Sequence, residues 1–258
     1  MESDVARSDA EPDGFAARQA GQSAMNPSLP TRRLAIFVLL GAFVAGFLAL
    51  GIGEAAAPLI PPDKLEANVM GSKSTIHSRS TPRAVMRSSA LQSAILGACL
   101  AGCLGVVGGL TRRSIGASLI WGTLGAALGL ALGAGLTYAC FPWYIQAREL
   151  HASQEFIAAM ILHGAIWAPL GAAAGLALAL GSAQWRRSGL LLLTGLLGAL
   201  LGTIACDFVE AILFPTARTA DPATETWLTL LTSRLTVSLG AALLLVLSLS
   251  PSRPPARK

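Results

Sequence analysis

Six apolar runs dominate the chain: Leu34–Gly53, Ser89–Leu110, Ile115–Ala139, Phe156–Gly181, Gly189–Phe214 and Trp227–Ser248. An α-helix advances ~1.5 Å per residue, so about 20 residues cross the ~30 Å hydrocarbon layer of a bilayer. Inside that layer no water is present to bond backbone N–H and C=O groups, so only helices and closed barrels can span it. Barrel strands alternate apolar and polar residues, and these runs do not. The expected fold is an all-α membrane protein, a six-transmembrane-helix bundle. Hydrophobic residues make up 53% of the chain and charged residues 13%, against about 25% charged in soluble domains. That balance excludes a disordered chain, a nucleic-acid binder built on a charged surface and an ordinary soluble enzyme.

The surrounding segments set the domain plan. Residues 1–30 are polar and carry Glu2, Asp4, Asp9, Glu11 and Asp13, which reads as a disordered cytoplasmic tail. Residues 31–252 form the transmembrane domain, with an outer loop at 54–88, and residues 253–258 form a second short cytoplasmic tail. Orientation rests on the arginines. Arg32–Arg33 precede the first span, Arg112–Arg113 and Arg186–Arg187 sit in tight turns, and Arg253, Arg257 and Lys258 follow the last span. Six spans put all these groups on one side, which the positive-inside rule makes cytoplasmic, so both termini are expected inside an inner (plasma) membrane. Lys64, Lys73, Arg79, Arg83 and Arg87 in the outer loop oppose this assignment. Reversing the protein would instead export two arginine pairs. Thr31-Arg32-Arg33 before an apolar run, with Ala55-Ala56-Ala57 after it, also has the outline of an export signal. Pro58 directly after the alanines disfavours cleavage there.

Loop chemistry is coherent with the spans. Thr81-Pro82 and Asp221-Pro222 have the form of a helix cap with Pro at the first helical position. Pro61-Pro62-Asp63 is expected to start a short helix that ends before Gly71. Trp143, Tyr144 and Trp227 are expected at the outer interface and Trp185 at the inner one.

Two pairs of spans resemble each other. Spans two–three and four–five both turn on Arg-Arg-Ser, at 112–114 and 186–188. The following helices carry Gly-Thr-Leu-Gly-Ala-Ala-Leu-Gly (122–129) and Gly-Leu-Leu-Gly-Ala-Leu-Leu-Gly (195–202). Two-span units keep the same orientation, so a duplication would be a parallel repeat. Gly/Ala/Leu helices also match by chance, and span one shares the pattern. The glycines themselves suggest packing. Gly125, Gly129 and Gly133 are spaced by four, as are Gly171 and Gly175, and Gly198 and Gly202. Small residues at that spacing let two backbones approach in lipid. They are compatible with tight static packing, with homo-oligomer or membrane-partner contact, and with a sliding, gated bundle. Pro169 removes a backbone donor in span four and is expected to kink it.

Intramembrane charge supplies the candidate site. His163 lies in span four, Asp207 and Glu210 in span five and Arg234 in span six, all in the outer half. A lone ion at helix centre costs ~2.5–3.5 kcal/mol on insertion scales. Arg234 is therefore expected to pair with Asp207 or Glu210, with His163 nearby. Either these ions fix helix register, or a carboxylate among them exchanges protons during transport. On a helical wheel Asp207 faces away from Gly195, Gly198 and Gly202, so acids and glycines in span five should meet different neighbours. Cys99 and Cys103 read as small packing residues. Cys140 and Cys206 fall near the same side, which leaves a bridge between them open.

Catalytic readings find little. No Gly-x-Ser-Gly occurs, His77, His151 and His163 have no metal-ligand spacing, and the two acids of span five lie on one helix. No catalytic residue, metal, cofactor or nucleic-acid partner is expected. The leading expectation is a non-catalytic structural or accessory component whose outer loop meets a partner. The alternative is a proton-linked secondary transporter or channel using His163, Asp207, Glu210 and Arg234.

Overall fold

The structure, a computed structural model, describes residues 31–60, 63–69, 72–78, 81–150, 155–213 and 227–249. Six helices are long and apolar enough to cross a membrane. They are α1 (Thr31–Ala56), α2 (Pro82–Thr111), α3 (Ile115–Leu150), α4 (Glu155–Gly181), α5 (Ser188–Leu213) and α6 (Trp227–Leu249). The expectations for both tails and for Asp221-Pro222 fall outside the described residues.

α1, α2, α4, α5 and α6 close a ring in that order, and α3 packs from outside against α2 and α4. Large buried side chains, among them Leu100, Leu104, Leu162, Ile166 and Leu170, fill the interior. Phe43, Phe47, Leu119, Leu124, Leu197 and Leu201 face outward, as the solvent inversion of a bilayer requires. Helix contacts fix the direction of each pass. Gly41 of α1 meets Val107 and Leu104 of α2 while Gly53 meets Gln92, so the two run antiparallel. The exposed pairs Arg32–Arg33, Arg112–Arg113 and Arg186–Arg187 consequently gather at one end, the arginine end. The opposite end carries the connection from α1 to α2.

That connection departs from the expected short helix. Asp63–Val69 is a strand, β1, paired antiparallel with β2, Ser72–Ser78, from Asp63 opposite Ser78 to Val69 opposite Ser72. The reason is legible in hindsight: Lys64-Leu65-Glu66-Ala67-Asn68-Val69 alternates polar and apolar residues, the period of a strand. The Val69–Ser72 pair leaves a two-residue link ending in Gly, a length and residue that hairpins favour. At the far side of the connection, the expected cap forms: Thr81 Oγ1 accepts from the Ala84 amide at 3.2 Å, with Pro82 at the first helical position.

α3 also departs from expectation. It continues 11 residues past Ala139, through Pro142, to Leu150. Proline inside a helix loses one backbone bond. Here Phe141 and Tyr144, 1% and 0% exposed, continue the packed face beyond it, and their rings meet at 5.8 Å. Tyr144 is therefore a core residue and no interface marker, whereas Trp143, Trp185 and Trp227 are exposed. α4 is continuous across Pro169. All four cysteines are free, so no bridge joins Cys140 to Cys206.

The α2–α3 and α4–α5 hairpins end their first helix in the same way. Arg113 and Ala183 adopt φ of 53° and 57°. Ser114 N bonds Gly109 O and Arg113 N bonds Leu110 O; correspondingly, Gln184 N bonds Ala179 O and Ala183 N bonds Leu180 O. Both are Schellman caps, which satisfy the last carbonyls of a helix. Ala183 lies 70 positions after Arg113, whereas Arg186 lies 74 after Arg112. The Arg-Arg-Ser motifs thus occupy different places in the two turns, the second falling in the short 3-10 turn Trp185–Arg187 that leads into α5.

Glycines govern how closely the helices approach. A Cβ on Gly97 or Gly129 would overlap the carbonyl of the other, and the same is true of Gly171 and Gly195. Gly125 faces the Ala101 carbonyl and Gly133 that of Ser93, both across the α2–α3 seam. Gly175 faces Leu191 across α4–α5, while Gly198 and Gly202 face the Gly240 and Thr236 carbonyls of α6. Backbones in direct contact maximise dispersion, the attraction that remains when lipid replaces water.

Candidate functional site

His163 reaches its position through the stripe His163, Trp167, Gly171, Gly175 on α4, one residue per turn along the face that meets α5. The bare backbone at Gly171 and Gly175 draws α5 close. About two turns further along α4 toward the hairpin end, that closeness brings His163 Nδ1 to 2.9 Å from Asp207 Oδ1. Where Asp207 is ionised its oxygen only accepts, and the hydrogen of this bond then sits on Nδ1. The imidazole stacks on Trp167 at 4.7 Å, with the planes 4° apart. On α5, Cys206 Sγ donates to Glu210 Oε1 of the next turn at 3.4 Å. Glu210 lies within electrostatic reach of both His163 and Asp207. His163, Asp207 and Glu210 are 2%, 7% and 2% exposed. Within this buried group, His163 Nε2 and Asp207 Oδ2 have no partner among the described residues.

Arg234 does not join them. Its guanidinium donates to the carbonyl of Ala49 on α1 and to Gln92 Oε1 on α2. Among the described residues it makes no ion pair with Asp207 or Glu210, and the pairing expected from sequence is replaced by His163–Asp207. The ring order explains the difference. α6 sits between α5 and α1, and Gly198 and Gly202 occupy its α5-facing side. Arg234 is directed to the α1 side, across Gly53. A Cβ on Gly53 would lie 2.5 Å from Gln92 Oε1 and 2.7 and 2.9 Å from the two guanidinium nitrogens. A Cβ there would force these two side-chain ends to shift.

The structure thus divides the four charged candidates into a His163–Asp207–Glu210 group between α4 and α5 and an Arg234 group between α1, α2 and α6. Gly195 shares the α4 side of α5 with Asp207, while Gly198 and Gly202 turn to α6, so acids and glycines are separated only in part. The sequence reading missed Gln92, Gly53 and the Ala49 carbonyl. Gln92 carries a signal, since it is the lone amide inside an apolar run; a backbone carbonyl carries none. Among the described residues no group of three His, Cys, Asp or Glu side chains has metal-holding geometry. Chemically, the first group can share and pass a proton, and the second can hold positive charge. Comparisons with protein-family models, with curated proteins and with solved structures find no match to this chain.

Proposed function

We propose that the chain is a non-catalytic structural or accessory component of an inner membrane, with both termini and the paired arginines on the cytoplasmic side. The observation that supports this most is closure of the seams. Backbones touch along α2–α3, α4–α5 and α5–α6 at Gly129, Gly171, Gly198 and their neighbours. The charged side chains are buried at the hairpin end of that packing. In such a bundle a buried pair such as His163–Asp207 fixes which helices meet and in which register. The β1–β2 connection, which the orientation places outside, is the segment offered to a partner, since an isolated two-stranded hairpin is marginal on its own.

A second reading has one specific observation in its favour. The unpartnered His163 Nε2 and Asp207 Oδ2, buried inside a membrane bundle, form the kind of group that exchanges protons in secondary transporters. Proton flux separates the two. In proteoliposomes holding a pH dye under an imposed potential, the accessory reading expects no flux above empty liposomes. Flux that Asp207→Asn with Glu210→Gln abolishes, in protein that stays folded, would replace it with the transport reading.

A further inference from the structure

The geometry points to a phosphate-binding site at Arg234, at the hairpin end between α1, α2 and α6. A guanidinium offers five N–H donors. Among the described residues, two hydrogen bonds are made, both to neutral oxygens, those of Ala49 and Gln92. Arg234 is 3% exposed, so its positive charge stands in an apolar bundle with no carboxylate in ion-pair contact among the described residues. Neutral oxygens offset only part of the cost of burying such a charge, and an anion offsets more of it. Glu54 is within electrostatic reach but sits on the exposed face of α1, the next residue after Gly53.

Three further features favour an anion from outside the chain. Gly53 leaves the guanidinium flush against α1 only three residues before that helix ends at Ala56, about 4.5 Å at ~1.5 Å per residue. The guanidinium therefore lies near the end of α1 and away from its middle. α2 and α6 both begin at this end, and the orphan amides and positive dipole ends of helix N-termini attract anions. Arg83 and Arg87, on the exposed face of the first turns of α2, add further positive charge to the same end. The planar guanidinium fork suits two oxygens of one phosphate. Gln92 holds the fork in place from one side, and the unused N–H groups bind the ligand. The ligand is a phosphate group, carried either by an anionic lipid or by a small soluble anion.

Delipidated full-length protein in non-ionic detergent supplies the test, with two probes. Native mass spectrometry counts phosphatidylglycerol adducts against phosphatidylcholine, and calorimetry measures inorganic phosphate. One probe should bind at one per chain, and Arg234→Gln should weaken it at least tenfold while helicity and monodispersity are unchanged. Phosphatidylglycerol binding alone identifies the lipid as the source, and phosphate binding alone the soluble anion. Binding of neither probe by the wild type would overturn the site, whatever becomes of the variant. So would binding that Arg234→Gln leaves intact.

Discussion

The two charged groups at the hairpin end were built by opposite means. Between α4 and α5 the helices are in backbone contact at Gly171 and Gly195, and that approach sets opposite partners, His163 and Asp207, face to face. Between α1 and α6 the close approach at Gly46 is to the Leu235 side chain, and Arg234 crosses to neutral oxygens on two other helices. The first group is complementary within the chain, and the second is a cation with no carboxylate in ion-pair contact among the described residues. The same kind of substitution should therefore have different consequences in each.

The largest effect is expected at Asp207. Asp207→Ala leaves His163 without its partner in a sealed seam and should cost about 3–5 kcal/mol, the range for breaking a buried pair from one side. Equilibrium unfolding in mixed micelles measures it. A cost below about 1 kcal/mol would show that the pair contributes little to holding α4 to α5. Next comes the seam itself. Gly171→Leu forces side-chain atoms against the Gly195 carbonyl and should cost about 1–3 kcal/mol or more by overpacking. Gly116→Leu, where a Cβ would meet nothing within 4 Å, provides the control and should leave unfolding nearly unchanged.

In the Arg234 group the effects shrink. Gly53→Ala should displace the guanidinium and cost about 1 kcal/mol, the low end of overpacking, because the atoms it meets are movable side-chain ends. Arg234→Met in lipid-free detergent should fall within about 1 kcal/mol of wild type, because removing an uncompensated buried charge offsets the lost hydrogen bonds. A penalty as large as that of Asp207→Ala would erase the distinction between the groups. The smallest expected quantity is a coupling. Arg234→Leu and Asp207→Asn touch no common partner, so their costs should add within about 0.5 kcal/mol. Rescue of one by the other would restore the direct pair that sequence reasoning favours.

Much of the bundle was legible because its determinants are local. Span length, the Thr81-Pro82 cap and the alternation in β1 are all properties of a few consecutive residues, although the last was read as a helix start. The helix that continues through Pro142 was not legible. Its persistence depends on Phe141 and Tyr144 finding a packed surface, which no window of sequence displays.

The candidate site was legible in part. His163, Asp207, Glu210 and Arg234 stand out because an ion in lipid is costly wherever it falls. Their partners did not, because a partner is decided by which helices become neighbours. The sequence by itself determined that six helices must span an apolar solvent, that glycines spaced by four would let them touch, and that four ionisable groups needed compensation near one end. Only the tertiary structure decided that α6 lies between α5 and α1 with its α5 face taken up by Gly198 and Gly202. That arrangement turned Arg234 away from the acids toward Ala49, Gln92 and the gap at Gly53. The physical reason is that burial cost belongs to a residue, whereas compensation belongs to a pair, and pairs between distant segments exist only once the helices have packed.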